Sequence, residues 1–170
     1  LFFAYLTGAV YFVPAGHQAL VERLGVKDVV QGSGLLLRIP PPIDRVQLVD
    51  VQKVRSINVF DGAENILCAD QSMISIQAVI QYSISDLSKY EYGATESEPL
   101  LAREARSVVV NQVRQIPHER IFQDRGVLAK KWTDILQNEA ERKQLGLKIE
   151  GFHLKQVTVP VAVKDDFLDV

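Results

Sequence analysis

The chain has 170 residues, 47% hydrophobic and 24% charged, with a mean hydropathy of +0.04. These averages are those of globular domains and exclude disorder, collagen-like repeats and a polytopic membrane bundle. Nineteen Lys and Arg against 21 Asp and Glu give a net charge of -2, without the clustered positive field that nucleic acid binding needs, and a single cysteine, Cys68, excludes an internal disulfide framework and a cysteine-based metal site.

Leu1 to Val13 reads LFFAYLTGAVYFV, with no charge. As a helix it is about 20 Å long at 1.5 Å per residue, shorter than the roughly 30 Å hydrocarbon core. It is therefore expected to be the end of a transmembrane helix whose start precedes this sequence. No basic region or small-x-small cleavage site marks it as a signal peptide; a buried N-terminal segment is the plainer alternative. The anchor residues on this reading are Leu1, Phe2, Phe3, Leu6, Val10, Tyr11 and Phe12, with Tyr11 and Phe12 suited to the aromatic belt of a membrane–water boundary.

From Pro14 to Val59 the pattern is β. Gln18 to Leu24 is a short strand, Gly32-Ser33-Gly34 a turn, and Leu35 to Ile39 an apolar run closed by Pro40-Pro41-Pro42. Val46 to Val59 is rich in β-branched residues, and its apolar parity changes between Leu48 and Val49, which predicts a bulge or bend there. The run Leu35, Leu36, Leu37, Ile39, Pro40 and Pro41 has two readings: a buried strand with a stiff bend, or a turn resting on lipid headgroups, where each fully buried Leu contributes about 1.5–3 kcal/mol.

Ser72 to Ser85 is the clearest strand. Ile74, Ile76, Ala78, Ile80, Tyr82 and Ile84 alternate with Ser75, Gln77, Gln81 and Ser83, the pattern of an antiparallel sheet with one covered face. The period then changes. Thr95 and Glu98 have capping-box spacing, and Leu101, Ala105, Val108, Val109, Gln112, Val113 and Ile116 share one side of a helix that Pro117 ends. Asp124 to Leu145 reads as a second helix with Leu128, Trp132, Ile135 and Leu136 as its stripe and Gly146 as its C-terminal cap. Leu147 to Val159 returns to strand, with a parity slip around Gly151 that a bulge would produce. Beyond Pro160, Val163, Phe167 and Val170 at i, i+4 and i+7 begin an amphipathic helix. Strands before helices, without strict alternation, predict an α+β fold, an antiparallel β-sheet with helices packed on it.

Little of the sequence suggests catalysis. His17, His118 and His153 are far apart, and none has a second ligand at metal-pair spacing. Gly32-Ser33-Gly34 lacks the third glycine of a dinucleotide site and the Gly-x-Ser-x-Gly of a nucleophile elbow. Arg103, Arg106 and Arg114 form a basic helix face, which is either solvated or meets an acidic face such as Glu139 and Glu141 on a neighbouring subunit.

The order of these segments resembles the SPFH (Band 7) superfamily of stomatins, prohibitins, flotillins and the HflK/HflC proteins. The resemblance rests on VPAGHQALVERLGV (Val13–Val26), GSGLLLRIPPPIDRVQLVDVQKVRS (Gly32–Ser56), ENILCADQSMISIQAVIQYSISD (Glu64–Asp86), AREARSVVVNQVRQ (Ala102–Gln115) and LGLKIEGFHLKQVTVPVAVKDDF (Leu145–Phe167). PPPID (Pro40–Asp44) and DGAENI (Asp61–Ile66) look most like HflK. Gly-Ser-Gly stands where the family often has Gly-Pro-Gly, and Leu35-Leu36-Leu37 lacks its common aromatic and His residues.

The resemblance implies an SPFH domain after a membrane segment: anchor 1–13, a membrane-proximal β-rich subdomain 14–60, an α/β subdomain 61–162, and the start of a helix at 163–170. It implies a non-enzymatic scaffold without cofactor or metal that assembles into a ring or cage around a patch of membrane. Its implied partners are membrane lipid, copies of itself or an HflC-like protein, and an FtsH-type membrane AAA protease, with the globular part periplasmic on a single-pass inner-membrane anchor. A stomatin- or prohibitin-like organiser without a protease partner is the alternative, and a membrane-bound hydrolase the reading from another class.

Overall fold

The computed structural model describes residues 10–37, 39, 43–60, 62–92 and 97–159. In chain order these form β1 (Val10–Val13), β2 (His17–Arg23), β3 (Val26–Gln31), β4 (Gly34–Leu37), β5 (Asp44–Asp50), β6 (Arg55–Asn58), β7 (Glu64–Leu67), β8 (Met73–Ile84), α1 (Leu87–Tyr92), α2 (Ser97–Val113), α3 (His118–Gln123), α4 (Arg125–Arg142) and β9 (Leu147–Thr158). All the pairings among them are antiparallel, so the α+β expectation holds.

The first four described residues, Val10–Val13, differ from the helix expected at the N-terminus. Val10–Val13 is a strand paired with β4, from Val10 opposite Leu37 to Val13 opposite Gly34. Two valines and two aromatics suit a pleated, half-buried surface, and the backbone groups are satisfied across the ladder instead of along a helix. The rest of the apolar run, Leu1–Ala9, lies outside the described residues, as do Pro40–Pro42 and 160–170. Among the described residues no helix is long and apolar enough to cross a membrane.

A three-stranded sheet, β3-β2-β5, lies between two cores. Ala19 and Val21 of β2, with Val46 and Leu48 of β5, face Tyr11, Val13 and Leu36 of the β1–β4 pair and close a small core. Leu20 and Val49 point the opposite way, into the larger core. This explains the parity change at Leu48/Val49. The β2–β5 register runs unbroken from His17↔Asp50 to Arg23↔Asp44, so there is no bulge; both faces of the strand have apolar neighbours. The bend comes later, at 51–54, and β6 then joins the second sheet.

That second sheet is organised on β8, which pairs with β6 and β7 on one side and with β9 on the other. The alternation of β8 holds: Ile74, Ile76, Ala78, Ile80, Tyr82 and Ile84 are buried under the helices. Leu101, Ala105, Val109 and Val113 of α2 face Leu128, Trp132, Leu136 and Ala140 of α4 across the same core. Trp132 is fully buried and meets Phe152 edge to face, centroids 5.3 Å apart. The expected slip in β9 is present, Gln81 pairing Gly151 and Tyr82 pairing Ile149, and a second slip leaves Lys155 unpaired between Gln156 and Leu154.

The C-terminal cap of α4 differs from expectation. Gln144, with φ +52, takes the left-handed position: its N–H bonds Glu141 O at 3.0 Å and Leu145 N–H bonds Ala140 O at 3.0 Å, the Schellman pattern. Gly146 is needed for another reason. A Cβ there would lie 2.3 Å from Asp86 O and 2.7 Å from Tyr90 N, because its own carbonyl accepts the N–H groups of Ser85 and Asp86.

Candidate functional site

The β1–β4 pair has two unlike faces. Tyr11, Val13 and Leu36 face the small core, and Leu36 is only 3% exposed. Between them, Phe12 opposite Leu35 and Val10 opposite Leu37 form two apolar cross-strand pairs on the outside. Phe12 is 68%, Leu35 69% and Leu37 79% exposed. Two strands of alternating parity thus spend every outward position on a large hydrophobe, where a water-facing sheet would place polar residues. Of the residues expected at a membrane-facing turn, Leu36 belongs to the core, Leu35, Leu37 and Ile39 are exposed, and Pro40 and Pro41 lie outside the described residues. Of the expected anchor residues, Val10 and Phe12 are on the outer face, Tyr11 faces inward, and Leu1, Phe2, Phe3 and Leu6 lie outside the described residues.

The face continues round one end of the β3-β2-β5 sheet. Asp44 is fully buried, and its carboxylate accepts Arg23 Nε at 2.9 Å, Arg23 Nη2 at 3.0 Å and the Ile39 N–H at 2.8 Å. A bidentate Arg–carboxylate contact is the strong geometry for this pair. It holds the segment after β4 against the β2–β3 turn, so Leu37, Ile39, Leu24 and Val26 share one end. Leu24 and Gly25 form the two-residue turn closing Arg23↔Val26, with φ +51 and +83. Asn-Gly is the favoured pair in such a turn. Here the first position is a leucine in the left-handed region, 77% exposed, so a strained apolar residue stands at the tip. Sequence reasoning missed Leu24, Val26 and Asp44. The available signal was Leu-Gly where turn chemistry favours a polar residue.

The residues expected at a subunit interface are treated unequally. Arg106 is engaged within the chain: Nη2 lies 2.7 Å from Glu64 Oε1 and the guanidinium sits over the Phe60 ring at 5.8 Å. Glu139 pairs with Arg142 and Glu141 accepts Gln137 Nε2. Arg103 is exposed on α2, and Arg114 is exposed in the turn that follows it.

One cluster joins residues that their spacing in the sequence left apart. Asp70 Oδ1 accepts Ser72 Oγ at 2.5 Å, and Oδ2 contacts His118 Nδ1 at 2.5 Å and accepts the His118 N–H at 3.1 Å. The Ser72 hydroxyl and then His118 hold the Asp70 carboxyl well below the usual carboxylate range. Cys68, beside Ser72, is buried, and burial raises its thiol above the ordinary value. A protonated buried thiol and a serine hydroxyl bonded to carboxylate are not activated nucleophiles; the cluster ties the β7–β8 turn to α3. Among the described residues no group of three His, Cys, Asp or Glu could hold a metal ion.

The sequence model of the SPFH domain / Band 7 family matches residues 11–169. Protein HflK of Vibrio cholerae is 27% identical over 160 residues, 94% of this chain and 40% of that protein. Protein HflK of Haemophilus influenzae is 23% identical over 160 residues, 94% of this chain and 38% of that protein. Stomatin-like protein stl-1 of Caenorhabditis elegans is 26% identical over 119 residues, 69% of this chain and 35% of that protein. The chain thus spans about two fifths of the HflK relatives it matches.

Proposed function

The chain belongs to the SPFH domain / Band 7 family, and from that premise we propose that it is a membrane-attached scaffold subunit that assembles side by side with copies or relatives of itself. The observation that carries the membrane part is the outer face of β1 and β4, with Val10, Phe12, Leu35 and Leu37 in cross-strand register. The uncharged stretch Leu1–Ala9 enters at Val10, beside Leu37. Tethering by that stretch confines subunits to a plane and raises their effective concentration, so weak lateral contacts suffice for assembly. Arg103 and Arg114 are the cations best placed for such a contact, Arg106 being engaged by Glu64.

Likeness to HflK proteins supports the finer reading: partnership with an HflC-like subunit, enclosure of a membrane patch, and restraint of an FtsH-type AAA protease by limiting access of membrane substrates. The globular part would then be periplasmic on a single inner-membrane anchor. Likeness to a stomatin-like protein favours a second reading, a membrane-microdomain organiser with no protease partner. Neither reading assigns the chain a chemical step.

The test is the mass of the protein in mild detergent together with vesicle flotation. The scaffold reading expects a large assembly that floats with vesicles, and Arg103→Glu with Arg114→Glu should lower the mass with unchanged circular dichroism. A monomer that stays with the aqueous fraction would overturn it.

A further inference from the structure

α4 and β9 run antiparallel. Gln137 Oε1 accepts the Ile149 N–H at 2.8 Å; nearer the start of α4, Trp132 meets Phe152, which lies further along β9. The 18 residues of α4 measure about 27 Å at 1.5 Å per residue, and the 12 of β9 about 40 Å at 3.3 Å per residue. β9 therefore runs on past the first turn of α4, and the chain leaves Thr158 at that end of the helix. The β7–β8 turn marks the same end: Thr158 pairs with Ser75, and Asp70 holds His118 at the start of α3. Here α3 and α4 leave a hollow of about 250 Å³, lined by Ile116, Arg120, Asp124, Val127, Leu128 and Lys131. Leu128 is buried and Ile116 half-buried, but Val127 is 71% exposed. Arg120, Asp124 and Lys131 are exposed, and among the described residues none of their side chains has a hydrogen-bond or ion-pair partner. Around them Arg125 lies over the Phe122 ring, Lys130 adds a cation and Glu119 a carboxylate, and Arg114 and Asp134 flank the stretch. From 114 to 134 five cations stand against three carboxylates, so the hollow has an apolar floor and a basic rim.

The segment that follows β9 has the complementary pattern. It lies outside the described residues, and its last seven residues read KDDFLDV (Lys164–Val170), where the final six hold three carboxylates and three hydrophobes. As a helix, it places Val163, Phe167 and Val170 in one stripe, with Asp166 and Asp169 along one flank and Lys164 on the other. Phe167 is eight residues beyond Val159. That length reaches about 26 Å fully extended, and about 19 Å with 163–167 helical, enough to pass from the end of β9 over the start of α4. We propose that residues 164–170 of the chain fold back into the α3–α4 hollow. Phe167 covers Val127, Ile116 and Leu128, Asp166 and Asp169 turn towards Arg120 and Lys131, and Lys164 towards Asp124. Being tethered a few residues away, the segment has a millimolar effective concentration at the hollow, so weak exposed charge pairs and one buried aromatic suffice. The strap ties the end of β9 to the helical layer, and the heading of any chain past Val170 is then set by α3 and α4. This inference stands apart from membrane attachment and does not depend on it.

The test uses the full 170-residue chain in mild detergent with Phe167 replaced by p-benzoylphenylalanine, which keeps an aromatic ring and cross-links to nearby C–H bonds under light. Peptide mass spectrometry of a 1:1 mixture of nitrogen-15-labelled and unlabelled protein reads both the position of the cross-link and whether it joins one chain or two. The expected result is a cross-link to the stretch Ile116–Lys131, at Val127 or Leu128 above all, with both halves carrying the same label. Arg120→Glu with Lys131→Glu should slow its formation about tenfold, two exposed charge pairs at about threefold each. Adding Asp166→Lys and Asp169→Lys to that variant should restore the rate, a recovery that a merely misfolded variant cannot show. Cross-links of mixed label would place the segment on a neighbouring copy and overturn the proposal. Cross-links confined to other parts of the chain, or a rate indifferent to the reversed charges, would overturn it as well. None of these outcomes touches the membrane reading, which vesicle flotation decides separately.

Discussion

Asp70 and His118, 48 positions apart, meet twice: Oδ2 accepts the His118 backbone N–H at 3.1 Å and contacts the ring at Nδ1 at 2.5 Å. The contact fixes the turn between β7 and β8 to the first residue of α3, and Ala69 N–H adds a bond to Ile116 O at 3.2 Å. Because the Asp70 carboxyl titrates below its ordinary value, the unfolded chain binds the proton more readily than the folded one. Its contribution to stability is therefore complete above the unfolded pKa of about 3.9 and is lost as pH falls towards the lower folded value. Urea midpoints taken from pH 6 to pH 2 should fall, and Asp70→Asn should flatten that slope. A slope identical in the variant would show that other carboxylates cause it.

Asp44 organises the apolar end, and Asp44→Ala removes the acceptor of three hydrogen bonds at once. Arg23 is half exposed and can rehydrate, but the Ile39 N–H loses its partner. The expected loss is about 1–3 kcal/mol, read as a lower urea midpoint at unchanged slope. Asp44→Asn should fall between the two.

The neighbouring leucines of β4 should respond in opposite ways. Leu36→Ala opens the small core, and a buried Leu→Ala change costs about 2–5 kcal/mol; the small size of that core puts the expectation at the lower end. Leu35→Ser with Leu37→Ser should leave the urea midpoint within about 0.5 kcal/mol of the parent and lower the fraction floating with vesicles. Unfolding by the outer pair, or undiminished flotation, would contradict the assignment of faces.

Gly146→Ala and Gln144→Gly test the end of α4. The first places a Cβ against Asp86 O and Tyr90 N at positive φ and should cost about 3 kcal/mol or more. The second relieves a left-handed glutamine and should stabilise by about 0.5–1 kcal/mol. Thermal melts of the two variants should move in opposite directions.

The sequence made these features legible to different degrees, for physical reasons. β8 was readable because one face is covered and the other wetter, so its alternation is nearly clean, and α2 and α4 carry full stripes. α1 and α3, six residues each, are too short for a helical period to emerge. β5 misled because its two faces serve different cores, so alternation loses its meaning there. Gly146 was the natural guess for a cap, yet its missing side chain answers to α1, a contact across the fold that spacing cannot reveal. Of the candidate site, the leucine run was found but not the parity that sinks Leu36 and raises its neighbours, since that depends on the β1 partner. Leu24 and Asp44 become meaningful only when the chain ends they join are brought together.

The β8–β9 ladder has ten registered pairs, from Ser75↔Thr158 to Ile84↔Leu147. Its hydrogen bonds lie across the strands, so a tug along the axis of β9 at Thr158 strains the whole row together, and nothing unzips one rung at a time. Whatever is joined beyond that point can haul on the domain in this direction and find it stiff, whereas a sideways pull at the same residue would peel the strand away from Ser75 inward.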